Sequence, residues 1–156
     1  MFDVEPRYIT GNLCPSEHCM RYRWLIGTLL LLPACGQHYA EPVSVQTSAA
    51  PAAAFDCVRH QLPLLDYKQS SLDMAEFRIT GNKYDTEARR PDVQFRRLIN
   101  RMEIDVGANA GGQTSIDVKS RTFAEYTTQR GPTEVEEKAS PQVQEDAQKL
   151  LKACRG

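Results

Sequence analysis

Three stretches of this chain change polarity at every second residue, and that alternation limits its possible folds more than any other feature. In residues 98–106, LINRMEIDV, Leu98, Met102, Ile104 and Val106 fall on one side and Arg101, Glu103 and Asp105 on the other. In 72–80, LDMAEFRIT, Ala75, Phe77 and Ile79 alternate with Glu76, Arg78 and Thr80. In 114–126, TSIDVKSRTFAEY, Ile116 and Val118 alternate with Asp117 and Lys119, and the pattern falters from Ser120 to Phe123. Successive side chains of a strand point to opposite faces. These segments therefore predict an antiparallel sheet with one dry face and one wet face. Between the second and third, GANAGGQ (107–113) reads as a glycine-rich hairpin connection. It lacks the spacing and the following helix of a phosphate-binding loop.

A dry sheet face needs a cover, and two amphipathic segments can supply it. The first is expected to run from Ala50 to Leu62, with Ser48 as N-cap, Pro51 in the first turn and Pro63 as the stop. Its stripe is Phe55, Val58 and Leu62, with Cys57 alongside. The second begins at Ser140 as cap and Pro141 as N1, and places Val143, Ala147, Leu150, Leu151 and Cys154 on one face. Glu145 and Asp146 lie early in it, and Lys149, Lys152 and Arg155 late, which complements the helix dipole. The predicted class is α+β: a three-stranded antiparallel sheet with an N-terminal and a C-terminal helix packed on one face. At 156 residues the chain has room for one such domain. The hydrophobic share of 41% and net charge of -1 argue against a wholly disordered chain and give no general pull toward nucleic acid. The mean hydropathy of -0.48 leaves sequence over for polar appendages.

One apolar run interrupts this polar chain. Trp24–Leu32, WLIGTLLLL, is nine residues long. At about 1.5 Å per residue it would cross roughly half of a 30 Å hydrocarbon core, so it cannot span as a helix. It has the length of a signal-peptide apolar core, and Arg21 and Arg23 precede it as a positive flank. Leu32-Pro33-Ala34-Cys35 follows directly.

That sequence resembles the lipobox of bacterial lipoproteins, in which a Leu and one or two small residues precede a Cys; Pro33 is the one departure. The resemblance covers residues 20 to about 37. It implies that Cys35 becomes the first residue of the mature protein, that its thiol carries a diacylglyceryl group, and that its amino group is acylated with a chain such as palmitate. Each buried methylene contributes about 0.8 kcal/mol, and two or more chains anchor stably where one is marginal. In that family an Asp after the lipidated Cys tends to retain the protein in the inner membrane; Gly36 here leans toward the outer membrane, facing the periplasm. The expected organisation is then 1–19 as an over-extended gene start, with translation from Met20; 20–34 as signal peptide; 35–50 as a lipidated tether; and 51–156 as the α+β domain. Cys14, His18 and Cys19 stand close together but lack a fourth ligand nearby, so no metal site is expected.

The resemblance also decides the cysteines. Cys14 and Cys19 leave with the leader and Cys35 carries lipid, so Cys57 and Cys154 remain, in an exported compartment that permits disulfides. Both lie near the apolar faces of helices that must share one sheet face. A Cys57–Cys154 bridge would contribute on the order of 4 kcal/mol in the chain-entropy model.

Chemistry is sparse beyond this. His38 falls in the expected tether. His60 has Asp56 at i−4 on the first helix, but no nucleophile motif accompanies it. Residues 78–101 hold seven basic residues, and 134–146 hold five acids against Lys138. Arg89, Arg90, Arg96 and Arg97 form a candidate binding loop for lipid head groups or an acidic protein surface. No cofactor and no nucleic-acid partner are expected. The chain thus reads as a lipid-anchored envelope protein: a non-catalytic binding or assembly module acting through the wet sheet face or the basic loop. The alternative is a small envelope hydrolase using His60 and a carboxylate.

Overall fold

The computed structural model describes residues 41–109 and 111–155. The expected signal segment, Cys35, Gly36 and His38 lie outside the described residues, as do Cys14, His18 and Cys19. In chain order the elements are β1 (Glu41–Thr47), α1 (Pro51–Leu64), β2 (Lys68–Asp73), β3 (Arg78–Asp85), β4 (Phe95–Ala108), β5 (Thr114–Thr128), β6 (Gly131–Glu137) and α2 (Pro141–Cys154). The class is α+β, with an antiparallel sheet and two helices. Among the described residues the sheet has six strands rather than three, in the order β1-β5-β4-β3-β2, and β6 also pairs with β5. Strands β1 and β6 share one edge of β5: β1 pairs with residues 114–120 and β6 with 122–128.

The extra strands lacked a period-two signal for physical reasons. In β2, KQSSLD, all six positions are exposed, so selection for a dry face is absent there. The expected strand 72–80 is in fact the end of β2, a tight turn and the start of β3. The Asp73 carboxylate accepts from the backbone N–H groups of Ala75 and Glu76, at 3.0 and 3.1 Å, and Phe77 turns the chain at φ 48°. The alternation of Ala75, Phe77 and Ile79 therefore spans a reversal. Residues 41–47 were expected to be tether, yet they form β1, whose Val43 and Val45 stand opposite Val118 and Ile116 and pack against the core. The folded body thus begins before residue 51.

Helix α1 differs at both ends from the expectation. Its N-cap is Ala50, without a side-chain bond, rather than Ser48. Pro51 at N1 has no N–H to satisfy and holds the preceding residue extended, so the helix cannot start earlier. Pro63 lies inside the last turn rather than beyond it; the helix continues to Leu64, and the Leu65 N–H caps it by bonding to the Gln61 and Leu62 carbonyls. Helix α2 begins as expected: the Ser140 hydroxyl accepts from the Val143 N–H at 3.2 Å. Asp146, however, does not serve the dipole from the surface. It is buried, and the Lys83 ammonium donates to it at 3.0 Å.

One core joins these parts. Phe55, Val58 and Leu62 of α1 gather with Val143, Ala147, Leu150 and Leu151 of α2 and with Ile79, Met102, Ile104, Val106, Ile116 and Val118 of the sheet. Gly81 permits this contact between α1 and β3. A Cβ there would lie 3.1 Å from Leu62 Cδ2 and 3.1 Å from Tyr67 Cβ. Cys57 and Cys154 form a disulfide between the helices, with a Cα–Cα distance of 5.8 Å and a sequence separation of 97. The faltering pattern at Ser120–Phe123 is not a break in β5. Thr122 points inward, where its hydroxyl donates to Asn100 Oδ1 at 2.9 Å; the Ser140 hydroxyl donates to the same oxygen at 2.9 Å, and the Ser140 N–H donates to Thr122 Oγ1 at 2.9 Å. This polar knot fastens the start of α2 to the two central strands.

Two expectations follow. Ser140→Ala removes both the cap and one arm of the knot, and should lower the unfolding free energy by about 1–2 kcal/mol in urea titration. Replacing Cys57 and Cys154 by Ser should cost about 4 kcal/mol in the same measurement, and thiol titration of the denatured, unreduced protein should find neither cysteine reactive.

Candidate functional site

The sheet face turned away from the helices was expected to be wet. Half of it is not. Tyr84, Ile99 and Phe123 stand opposite one another across β3, β4 and β5, and residues directly opposite share a face. Ile99 is only 2% exposed and Phe123 8%. Arginine planes supply the cover: Arg97 lies 4.2 Å from the Tyr84 ring centroid and Arg101 4.3 Å from that of Phe123. Long basic side chains can bury apolar surface along their stems while the charged head reaches a partner.

Those heads are held by carboxylates. Glu125, buried on β5, accepts from Arg96 at 2.7 Å and from Arg97 Nε at 2.9 Å. Arg101 donates to Asn82 at 2.9 Å and to Glu134 at 2.8 Å. Arg121 lies 3.8 Å from both Glu103 and Glu136. Where β4 and β5 run toward their shared turn, Asp105 stands opposite Asp117. Arg78 pairs with Asp105, and the Ser115 hydroxyl donates to Asp117 at 2.8 Å. A shallow recess of about 450 Å³ opens there, lined by Pro42, Ser44, Asp105, Asp117 and Lys119 among others.

The four arginines singled out in the sequence are brought to one end of the sheet, but three are already paired. Arg96 and Arg97 meet Glu125, as above. Arg90 makes two parallel bonds to Glu137, at 2.5 and 2.6 Å, and lies 4.9 Å from the Phe95 centroid. The hydrogen bonds from Arg90 hold the Glu137 carboxyl below the usual carboxylate range, against the opposing effect of burial. Arg89 donates to backbone carbonyls, Thr86 at 2.6 Å and Ala88 at 3.0 Å, and is exposed. The acidic run 134–137 accounts for this: β6 lies beside β5 and delivers Glu134, Glu136 and Glu137 to the arginines. The excess of opposite charge in the two segments hinted at such pairing, but the sequence could not match individual partners.

His60 and Asp56 do not form a pair. The His60 ring is exposed, and its Nδ1 lies 2.8 Å from the Asp56 backbone carbonyl, so that nitrogen carries the proton. The Asp56 carboxylate faces Arg59 instead, at 3.4 Å. Among the described residues, no serine or cysteine side chain hydrogen-bonds to His60. Tyr67 is buried, and its phenol is pushed up by burial and by the charge of Asp146, to which it donates at 3.4 Å. With Lys83 it ties α2 to β3 and to the residue just before β2. Among the described residues there is no cluster of three or more metal-ligating side chains, and no helix is long and apolar enough to cross a membrane.

No family model matches the chain, and no curated protein matches it.

Because the Glu137 pKa is lowered on folding, its pairing with Arg90 stabilises the fold above the ordinary carboxylate range, and that contribution is lost as pH falls through the folded value. Denaturation midpoints measured from neutral pH down into the acid range should fall less steeply for Glu137→Gln than for the parent chain.

Proposed function

We propose that this chain is a lipid-anchored protein of the cell envelope, and that its folded body is a non-catalytic binding or assembly module. The observation that carries the reading is the run from Arg21 to Cys35: two arginines, nine apolar residues and Leu-Pro-Ala-Cys. Acylation of Cys35 would hold the body at the membrane through fatty chains such as palmitate, on the periplasmic side of the outer membrane if the cell has one. The Cys57–Cys154 disulfide supports export, because such bonds persist in oxidising compartments and are rare in the cytosol.

A binding role is favoured by the outer sheet face. Charges of both signs are held there in fixed positions by cross-strand pairs, and a partner with a complementary pattern would meet little ordering cost. Another envelope protein fits this better than lipid head groups, since Arg90 is paired with Glu137, and Arg96 and Arg97 are both tied to Glu125. The hydrolase alternative, His60 with a carboxylate, has little support: the histidine is exposed and bound to a backbone carbonyl.

Fatty-acid labelling in bacterial cells followed by membrane fractionation tests the anchor. The native chain should take up label and sediment with membranes; Cys35→Ser should lose the label and leave the membrane fraction. A Cys35→Ser chain that is processed identically and stays with the membrane would overturn the reading.

A further inference from the structure

Among the described residues, strand β2 is an edge of the sheet, opposite the edge that β1 and β6 share, and all six of its positions are exposed. Such an edge presents unpaired backbone N–H and C=O groups, and natural sheets usually blunt it with charge or a bulge. Here the bulge has a second consequence. Lys68 stands opposite Asn82, Ser71 opposite Thr80 and Asp73 opposite Arg78, with the register shift between Gln69 and Ser71. Measured along β3, Lys68 and Asp73 are therefore equally far from Ser71, on opposite sides of it and on the same sheet face. Gln69 and Leu72 are likewise symmetric about Ser71 on the helix-side face. In a regular strand without the bulge, the five-residue separation of Lys68 and Asp73 would place them on opposite faces. The Ser70 hydroxyl donates to the Thr80 carbonyl at 3.2 Å, back toward β3.

We propose that β2 is an isologous interface at which two copies of this chain pair edge to edge, antiparallel, about a two-fold axis at Ser71. In that register each Lys68 faces the Asp73 of the other copy, and each Gln69 faces a Leu72. The strand is thus complementary in charge to itself and to no displaced register of itself, and directly opposed unlike charges stabilise a strand pair while like charges destabilise it. A small recess beside the edge, about 110 Å³ and lined by Leu62, Pro63, Tyr67 and Gln69 among others, lies next to the position the incoming Leu72 would take. Leu72 is itself 37% exposed in the single chain. The two sheets would join into one continuous sheet with the helices of both copies on the same side. This inference does not depend on lipidation of Cys35.

The test uses the full chain carrying Cys14→Ser, Cys19→Ser and Cys35→Ser, so that an added cysteine is the only free thiol. Under mild oxidation Ser71→Cys should yield a covalent dimer on a non-reducing gel, because the two Cα atoms meet at the axis within disulfide reach. Ser70→Cys, turned toward β3, should remain mostly monomeric. Sedimentation of the chain without an added cysteine should show a reversible dimer. Lys68→Glu should weaken it roughly tenfold by facing Asp73 with a like charge, and adding Asp73→Asn, which preserves the turn acceptor, should recover part of the loss. A chain that stays monomeric at its highest soluble concentration, or a Ser71→Cys variant that links no faster than Ser70→Cys, overturns the proposal. Capture of a strand from a different protein by a monomeric chain would overturn it equally.

Discussion

Every other feature of this molecule leans on the burial of alternate residues of the β4–β5 hairpin beneath α1 and α2. Met102, Ile104, Ile116 and Val118 are fully buried on that side, against Phe55, Val58, Val143 and Leu150. Each such side chain contributes about 1.5–3 kcal/mol when removed from water, whereas an isolated hairpin is marginal. The two helices are far apart in sequence, so bringing both onto one sheet carries a large loop-closure cost. The Cys57–Cys154 bond reduces that cost by restricting the unfolded chain. The hydrophobic seam and the crosslink therefore act on different sides of the same equilibrium, one on the folded state and one on the unfolded.

Charge does an unusual share of the packing on the opposite face. A sheet with helices on one side only should leave its other side to solvent, yet Ile99 and Phe123 are buried there, and the Arg101 guanidinium lies over the Phe123 ring. This works because an arginine stem is apolar and its head can be satisfied at the same time. Glu125 illustrates the balance. A buried carboxylate is costly alone, and two arginines with solvent-reaching heads make it tolerable. The same pairs offset part of the arginine charge at this end of the sheet.

The edges of the sheet differ from its centre in what they reveal. Strands β4 and β5 separate a dry face from a charged one over most of their length, and their pattern announced them. Strands β2 and β6 have few buried positions, so burial left little imprint on their residues; β1 has two valines that pack on the core, too few to distinguish from a linker. The same logic separates α2 from α1. Ser140 and Pro141 mark the start of α2 because the cap bond is local, whereas the start of α1 is set by Pro51 alone and its end by a proline that the last turn can accommodate.

What the sequence by itself determined was whatever depends on neighbours a few residues apart: the class of the domain, the two central strands, the cap of α2, the apolar stripes of both helices, and the short apolar run before Cys35 whose length forbids a span. It also narrowed the crosslink to Cys57 and Cys154 once an exported location was assumed. Only the tertiary structure decided the six-stranded order, the pairing of Arg90 with Glu137 and of Arg96 and Arg97 with Glu125, and the burial of Asp146 beside Lys83. Those depend on contacts between residues distant in the chain. A charged residue carries no local sign of whether its partner will be water, a neighbouring helix turn or a strand thirty positions away, so its role appears only when the sheet has brought the candidates together.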